Sequence, residues 1–374
     1  MPGKLLVVVS NVLLVAAIPI NLSAENLGDG TKINRNSPIK VFDNVKCVSA
    51  GANQTLIVTN DNSLWVCGTN LFGAIGDGTK DPCDTPKKIM GDVAWVSAGA
   101  DHSLILKLDG SLWGCGSNEY GQLARKSETE ELIPIIIAEG VKMMSAGQSY
   151  TMIIKNDGSL WACGLNTVGQ LGNNKYDFNY DFLHVMDDVI DVSAGSGITL
   201  ILRNDGTVWA CGFTQSGGFG NGIKYMRTDE PIKIFDNAIA ITGNSDNSYI
   251  LKNNGSLWGC GTNSWGTLGD GTYNEHGQFI KMMDSVKAIS ASIRHILVLK
   301  NDGTLWACGG GNVNRRASKK TYGVLGDGTW TPQNKFVKIM TGVRFISAGY
   351  FHSMVIKDDD SLWGFGWNGT GEPM

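Results

Sequence analysis

The sequence predicts an all-β fold: a seven-bladed β-propeller of four-stranded blades, with the last blade closed by the N-terminal strand. Three observations carry this expectation. A hexapeptide of the type SLWGCG returns around Trp65, Trp113, Trp161, Trp209, Trp258, Trp306 and Trp363, at spacings of 48, 48, 48, 49, 48 and 57 residues. A fixed period of this size marks a propeller or a solenoid. Each period holds four short apolar segments divided by glycine turns, the content of one propeller blade. Finally, the piece missing from the seventh copy is found at the opposite end of the chain.

In chain order, the first 24 residues stand outside the repeat. Lys4 precedes an apolar run from Leu5 to Ile20, broken by Ser10, Asn11 and Pro19 and followed by Asn21-Leu22-Ser23-Ala24. This is the layout of a secretory signal peptide cleaved after Ala24. An uncleaved N-terminal anchor is the competing reading, although the run is shorter than the roughly 20 residues that span a bilayer. Residues 27–374 are then a single propeller of about 48-residue repeats. They open with Leu27-Gly28-Asp29-Gly30-Thr31 and SPIKVFDNV, matching the LGDGT that completes other copies at 268–272 and 325–329. The seventh copy stops at Gly366–Gly371, just short of that piece, so the N-terminal strand is expected to complete its blade. An open stack would instead need capped ends.

Residues 93–140 serve as the type repeat. VAWVSAG reads as the first strand, SLILKL as the second, SLWGCG as the third and IPIII, after a polar loop, as the fourth. Asp109-Gly110 between the second and third is a strong hairpin signal. The sixth copy departs from the others by nine extra residues within GGGNVNRRASKKTYG (309–323), which carries Arg315, Arg316, Lys319 and Lys320.

Composition narrows the function. The 49 glycines among 374 residues sit at fixed offsets as turn positions. A net charge of −4 with signs interspersed lacks the basic footprint of a nucleic-acid partner. Six of the eight cysteines form one column, Cys67, Cys115, Cys163, Cys211, Cys260 and Cys308, with Phe365 in the seventh copy. Equivalent positions on successive blades lie too far apart for a disulfide. No C-x-x-C pair offers a zinc site, and no adjacent cation activates a thiol. The column therefore reads as packing, on the strand face that also carries the tryptophan. Cys47 and Cys83 lie outside it, and their pairing stays open.

His102, His295 and His352 share a column with Gln54, Tyr150, Ile198 and Asn247, which does not preserve a metal ligand set, while His184 and His276 are solitary loop residues. The GDGT segments supply one carboxylate each, too few for a calcium loop. No nucleophile elbow, P-loop or H-E-x-x-H helix occurs. The sequence thus nominates no catalytic residue, metal or cofactor.

The pattern V-S-A-G-x-x-H-S at 96–103, the related 346–353, and W-x-C-G-x-N-x-x-G-Q-L-G at 161–172 resemble the repeats of the regulator of chromosome condensation family, over about residues 27–374. The resemblance implies a seven-bladed propeller in which the recurrent histidine is structural and bonds within its own repeat. It does not fix an activity, since the scaffold serves exchange factors, ubiquitin-ligase subunits, photoreceptors and secreted inhibitors.

With the Asp-Gly turn at one end of the central hairpin, A-G-x-x-H and G-x-N-x-x-G must emerge together at the other. Their variable positions supply Phe72, Tyr120 and Trp265, then Asp101, Arg294, Tyr350 and Phe351, with Trp367 beside them. Several are of types that dominate binding hot spots. The leading expectation is an exported, monomeric, non-enzymatic propeller, secreted or associated with the cell envelope. It would bind another protein or a cell-surface component through this face and the basic insertion, and would meet a membrane only if the N-terminal segment is uncleaved. The alternative is guanine nucleotide exchange on a small GTPase, the founding activity of the family that the chain resembles.

Overall fold

A computed structural model describes residues 26–127, 129–310 and 322–369. β1 (Arg35–Phe42) is followed by β2 (Val45–Ala50), β3 (Gln54–Thr59), β4 (Leu64–Gly68) and β5 (Cys83–Met90). β2 to β5 form one antiparallel sheet in sequence order, and this blade recurs around the ring. The seventh sheet orders β1 beside Leu362–Gly366, then His352–Lys357, then Val343–Ala348. The N-terminal strand therefore closes the last blade, pairing Ile39 with Gly364 and Lys40 with Trp363.

The inner strands are buried because neighbouring blades cover both their faces. β3 is buried along its whole length, whereas β5 alternates half-buried and exposed positions. The apolar core consequently lies between blades. Met152, Leu160 and Leu171 of the third blade pack with Val189, Val192 and Ile201 of the fourth, and Trp209 covers them from outside. Each such aliphatic side chain contributes about 1.5–3 kcal/mol on burial.

The hairpins are three-residue turns. Gly110 N–H donates to the Lys107 carbonyl and Lys107 N–H to the Ser111 carbonyl, with Gly110 at φ 82°. Asn62 and Asp360 take the same left-handed conformation in the copies that lack the glycine. The turn also fixes the tryptophan. Asp109 accepts from Ser111, whose Oγ accepts from Trp113 Nε1 at 3.0 Å, and six of the seven copies repeat this indole bond.

The cysteine column faces the preceding blade. Cys115 Sγ lies 3.5 Å from the Ala74 carbonyl and Cys163 Sγ 3.7 Å from that of Gln122, while Phe365 packs with Val324 and Leu325 in the seventh copy. Cys47 and Cys83 are both free. They lie on β2 and β5, with two strands between them, and strands about 4.8 Å apart put that separation beyond disulfide reach. Burial pushes the Cys47 thiol up to about 12, and Cys83 Sγ donates to the Thr85 carbonyl.

Each of the three histidines joins its blade to the next, and of the bonding within one repeat that the family resemblance implies only that of His295 is present, its Nδ1 lying 2.9 Å from Ser292 Oγ, while Nδ1 of His102 and of His352 is buried without a partner. His352 Nε2 lies 2.8 Å from Thr55 Oγ1, His102 Nε2 3.2 Å from Thr151 Oγ1, and His295 Nε2 2.7 Å from Ser353 Oγ. Each of these hydroxyls already donates its hydrogen to a carbonyl, of Asn26, Gln122 and Val324 respectively, so Nε2 is the donor. Burial holds the three imidazoles neutral, with His102 lowered to about 4 and His295 and His352 to about 3. Tyr150 makes the equivalent bond to Thr199.

A further ladder rings the axis. The serine of V-S-A-G accepts from the backbone N–H at the alanine position of the next blade, as Ser49 does from Ala98, Ser97 from Ala146 and Ser347 from Ala50. Thr242 stands at this position in the fifth blade, and its Oγ1 is buried without a partner.

Ring closure reuses the loop chemistry of the intact repeats. In the first blade Asn70 accepts from Ile75 N–H and donates to Asp77 and the Thr79 carbonyl. In the last, Asn368 accepts from Leu27 N–H at 2.9 Å and donates to Asp29 at 2.7 Å and the Thr31 carbonyl at 2.8 Å. The two chain ends are thereby joined by the bonds that elsewhere lie within one loop.

Candidate functional site

The close approach of two backbone segments sets the loop face. Gly116, ending the third strand of its blade at φ 103°, places any added Cβ 2.3 Å from the Asp101 carbonyl, so only glycine fits. The same contact recurs at Gly309 against the Arg294 carbonyl. The start of the second strand and the end of the third are thus held side by side, and their loops share one face of the disc.

On this face blades five, six and seven bring an arginine and a group of aromatics together. The Arg294 guanidinium carbon lies 4.6 Å from the ring centroid of Trp265, 5.2 Å from Tyr322, 5.2 Å from Tyr350 and 4.6 Å from Phe351. Phe351 meets Tyr350 at 4.1 Å, Tyr322 at 5.1 Å and Trp367 at 5.1 Å, all with steeply inclined planes. Such edge-to-face contacts lock the rings against one another. Trp265 is positioned by its loop, in which Asn263 accepts from Leu268 N–H. Tyr350 is held near the axis by its N–H bond to the Gly51 carbonyl.

The remaining sequence candidates lie elsewhere or play other parts. Trp367 is only 7% exposed and acts as the floor beneath Phe351 rather than as a contact surface. Tyr120 packs edge-on against Phe178 at 6.4 Å, in a separate group with Tyr180. Phe72 and Asp101 line a small cleft with Asn53, Thr69, Leu71 and Ala100. Burial, with Glu119 nearby, raises the Asp101 carboxyl to about 6. Tyr350 packs on Ala52 and Ala100 and so links this cleft to the arginine cage. Arg315, Arg316, Lys319 and Lys320 lie outside the described residues, as does the N-terminal segment 1–24.

Sequence reasoning missed Tyr322. Its signal was present: Tyr322 precedes Gly323 as Tyr120 precedes Gly121 and Trp265 precedes Gly266, but the nine extra residues hide the alignment. Among the described residues no group of three His, Cys, Asp or Glu could hold a metal, and no helix is long and apolar enough to cross a membrane. The GDGT carboxylates are engaged internally, Asp77 with Thr79, Asn70 and Lys87. Among the described residues, the site offers planar apolar surface and one cation.

Fold and repeat pattern together define a seven-bladed repeat propeller that carries loops of successive blades on one face. The chain belongs to the regulator of chromosome condensation (RCC1) repeat family. Two models of that repeat match, one at residues 94–122, 141–170, 189–220, 286–315 and 343–372 and the other at 61–106 and 109–154. Neither matches the fifth blade, where Thr242 interrupts the serine ladder. A search of curated protein sequences returned no match. Among solved structures, human WBSCR16 is 18% identical with a TM-score of 0.74, covering 88% of this chain and 89% of its own. Prp20p from Saccharomyces cerevisiae is 16% identical with a TM-score of 0.70, covering 88% and 83%. At these identities the likeness establishes the fold.

Proposed function

We propose that this protein is an exported, non-enzymatic propeller that binds a partner protein through the loop face of blades five to seven. The observation that carries the reading is the aromatic group around Arg294, in which Trp265, Tyr322, Tyr350 and Phe351 all remain partly exposed. Large rings at loop tips gain less from burial than core residues do, and are of the kind that anchors protein interfaces. Use of the scaffold for protein recognition is supported by Prp20p, described by its binding to Gsp1p and histones and in a second structure as bound to Kap60. Export is supported by the signal-like composition of residues 1–24.

Immobilised full-length protein should retain a partner from the culture supernatant or cell envelope of the producing cell. A folded Tyr350→Ala/Phe351→Ala variant should lose it. Retention of every partner by that variant would place the interface elsewhere. Recovery of the unprocessed chain from the cytosol would overturn export. Accelerated nucleotide release from any of a panel of small GTPases would favour exchange activity instead.

A further inference from the structure

We infer that Arg294 and its aromatic cage form a receptor for a carboxylate, an aspartate or glutamate side chain presented by the partner protein. The inference rests on the reading of the loop face as a docking surface and adds the chemistry of its central contact.

The other arginines show what is unusual here. Among the described residues, Arg35 pairs with Asp29, Arg125 with Glu131, Arg203 with Asp188, and Arg344 with Asp360 and the carbonyls of Val45 and Lys46. Arg227 donates to the Thr167 carbonyl. Each has a protein acceptor. Arg294 has none among the described residues; its Nε is buried without a hydrogen-bond partner, as are those of Arg203 and Arg344, but unlike theirs its terminal nitrogens have no acceptor among those residues either. The surrounding rings attract the cation, yet they take up none of its directional hydrogen bonding, and a guanidinium carries five N–H donors in a fixed fork. Tyr322, Tyr350 and Phe351, locked by their own edge-to-face contacts, hold that fork in place before a ligand arrives. Such preorganisation lowers the entropic cost of binding.

The chemistry favours a carboxylate over a phosphate. Among the described residues the rings of this group face one guanidinium, a single positive charge, and no lysine ammonium. A planar monoanion matches the fork in a bidentate manner. The side-chain methylenes of a glutamate or aspartate would also find apolar ring surface beside the charge.

The test uses the full-length protein with Arg side-chain Nε–H resonances observed by NMR, the Arg294 signal being assigned by its loss in Arg294→Gln. The probes are two acetylated, amidated peptides, Ala-Leu-Glu-Phe-Ala and Ala-Leu-Gln-Phe-Ala, and inorganic phosphate. The glutamate peptide should shift the Arg294 signal saturably, the glutamine peptide should not, and Arg294→Lys should weaken binding about tenfold, because it keeps the charge and loses the fork. Absence of a shift, equal shifts with both peptides, or saturation by phosphate at lower concentration than the glutamate peptide would each overturn the inference. Against the captured partner, Arg294→Gln should cost about thirtyfold or more in affinity. If Arg294→Gln binds normally while Tyr350→Ala/Phe351→Ala does not, the carboxylate inference fails and the docking face stands. If both variants bind normally, the docking face itself is wrong.

Discussion

At the scale of single residues, the molecule keeps an acid where a ring of apolar side chains would serve. Asp191 shares a column with Cys47, Trp95, Met143, Ala240, Ala288 and Phe345, none of them a cation. The column points to the axis, where Trp95 and Phe345 meet at 5.8 Å. Asp191 Oδ1 has no hydrogen-bond partner, and burial raises the carboxyl to about 8. The folded state therefore retains a proton that the unfolded chain releases near pH 4. Stability from this group is present at low pH and is lost as pH rises from about 4 to about 8. Asp191→Asn removes that dependence. Thermal melts should give a variant midpoint a few degrees above wild type at pH 8 and close to it at pH 4. Equal shifts at the two pH values would mean that the carboxylate is already charged in the fold. Nothing in the repeat pattern marks Asp191 as exceptional, since its column tolerates thiol, indole, thioether and methyl alike. Arg294, Trp265, Tyr350 and Phe351 were legible as loop-tip residues because the columns give their place. Their convergence was not, because it depends on side-chain directions that a column does not record.

At the scale of elements, recurrence made the strands legible. Hairpin, tryptophan and closing glycine recur in register, so each copy corroborates the others. Where a copy departs, the structure shows a local consequence. Ser193 of the fourth blade accepts from Gly243 N–H and Ser290 of the sixth from Ala348 N–H, whereas Thr242 leaves its hydroxyl unpaired in the blade between them. The extra methyl makes the threonine rotamer stiffer than that of serine. Thr242→Ser should restore the rung to the next blade and stabilise the protein by about 0.5–1.5 kcal/mol. Chemical denaturation reads this directly, and an unchanged or lower midpoint would show that blades five and six are too far apart for the bond. The nine-residue insertion illustrates the opposite limit. It displaces Tyr322 from its aligned position, so a residue that completes the cage escapes a reading based on fixed spacing.

At the scale of the whole molecule, the ring is held by one discontinuous blade. The chain ends meet through the β1 pairing, through Asn368 with Leu27, Asp29 and Thr31, and through Asn26, whose carbonyl accepts from Thr55. Asn368 is fully buried, so its amide has no water with which to replace these partners. Asn368→Ala would leave the Leu27 N–H and the Thr31 carbonyl unpaired, at a cost of about 1–3 kcal/mol for each group left without a partner. The same substitution at Asn118, which makes the equivalent bonds to Leu123 and Arg125 inside a continuous loop, removes similar bonds but keeps its ends covalently joined. The two variants should therefore differ in kind. Asn118→Ala should lower the midpoint while unfolding remains cooperative. Asn368→Ala should also speed hydrogen exchange in β1 and Leu362–Gly366 ahead of global unfolding, since no short loop tethers the two segments that this asparagine holds together. Uniform protection across all seven blades in Asn368→Ala would mean that the β1 pairing alone closes the ring, leaving the asparagine with a local role.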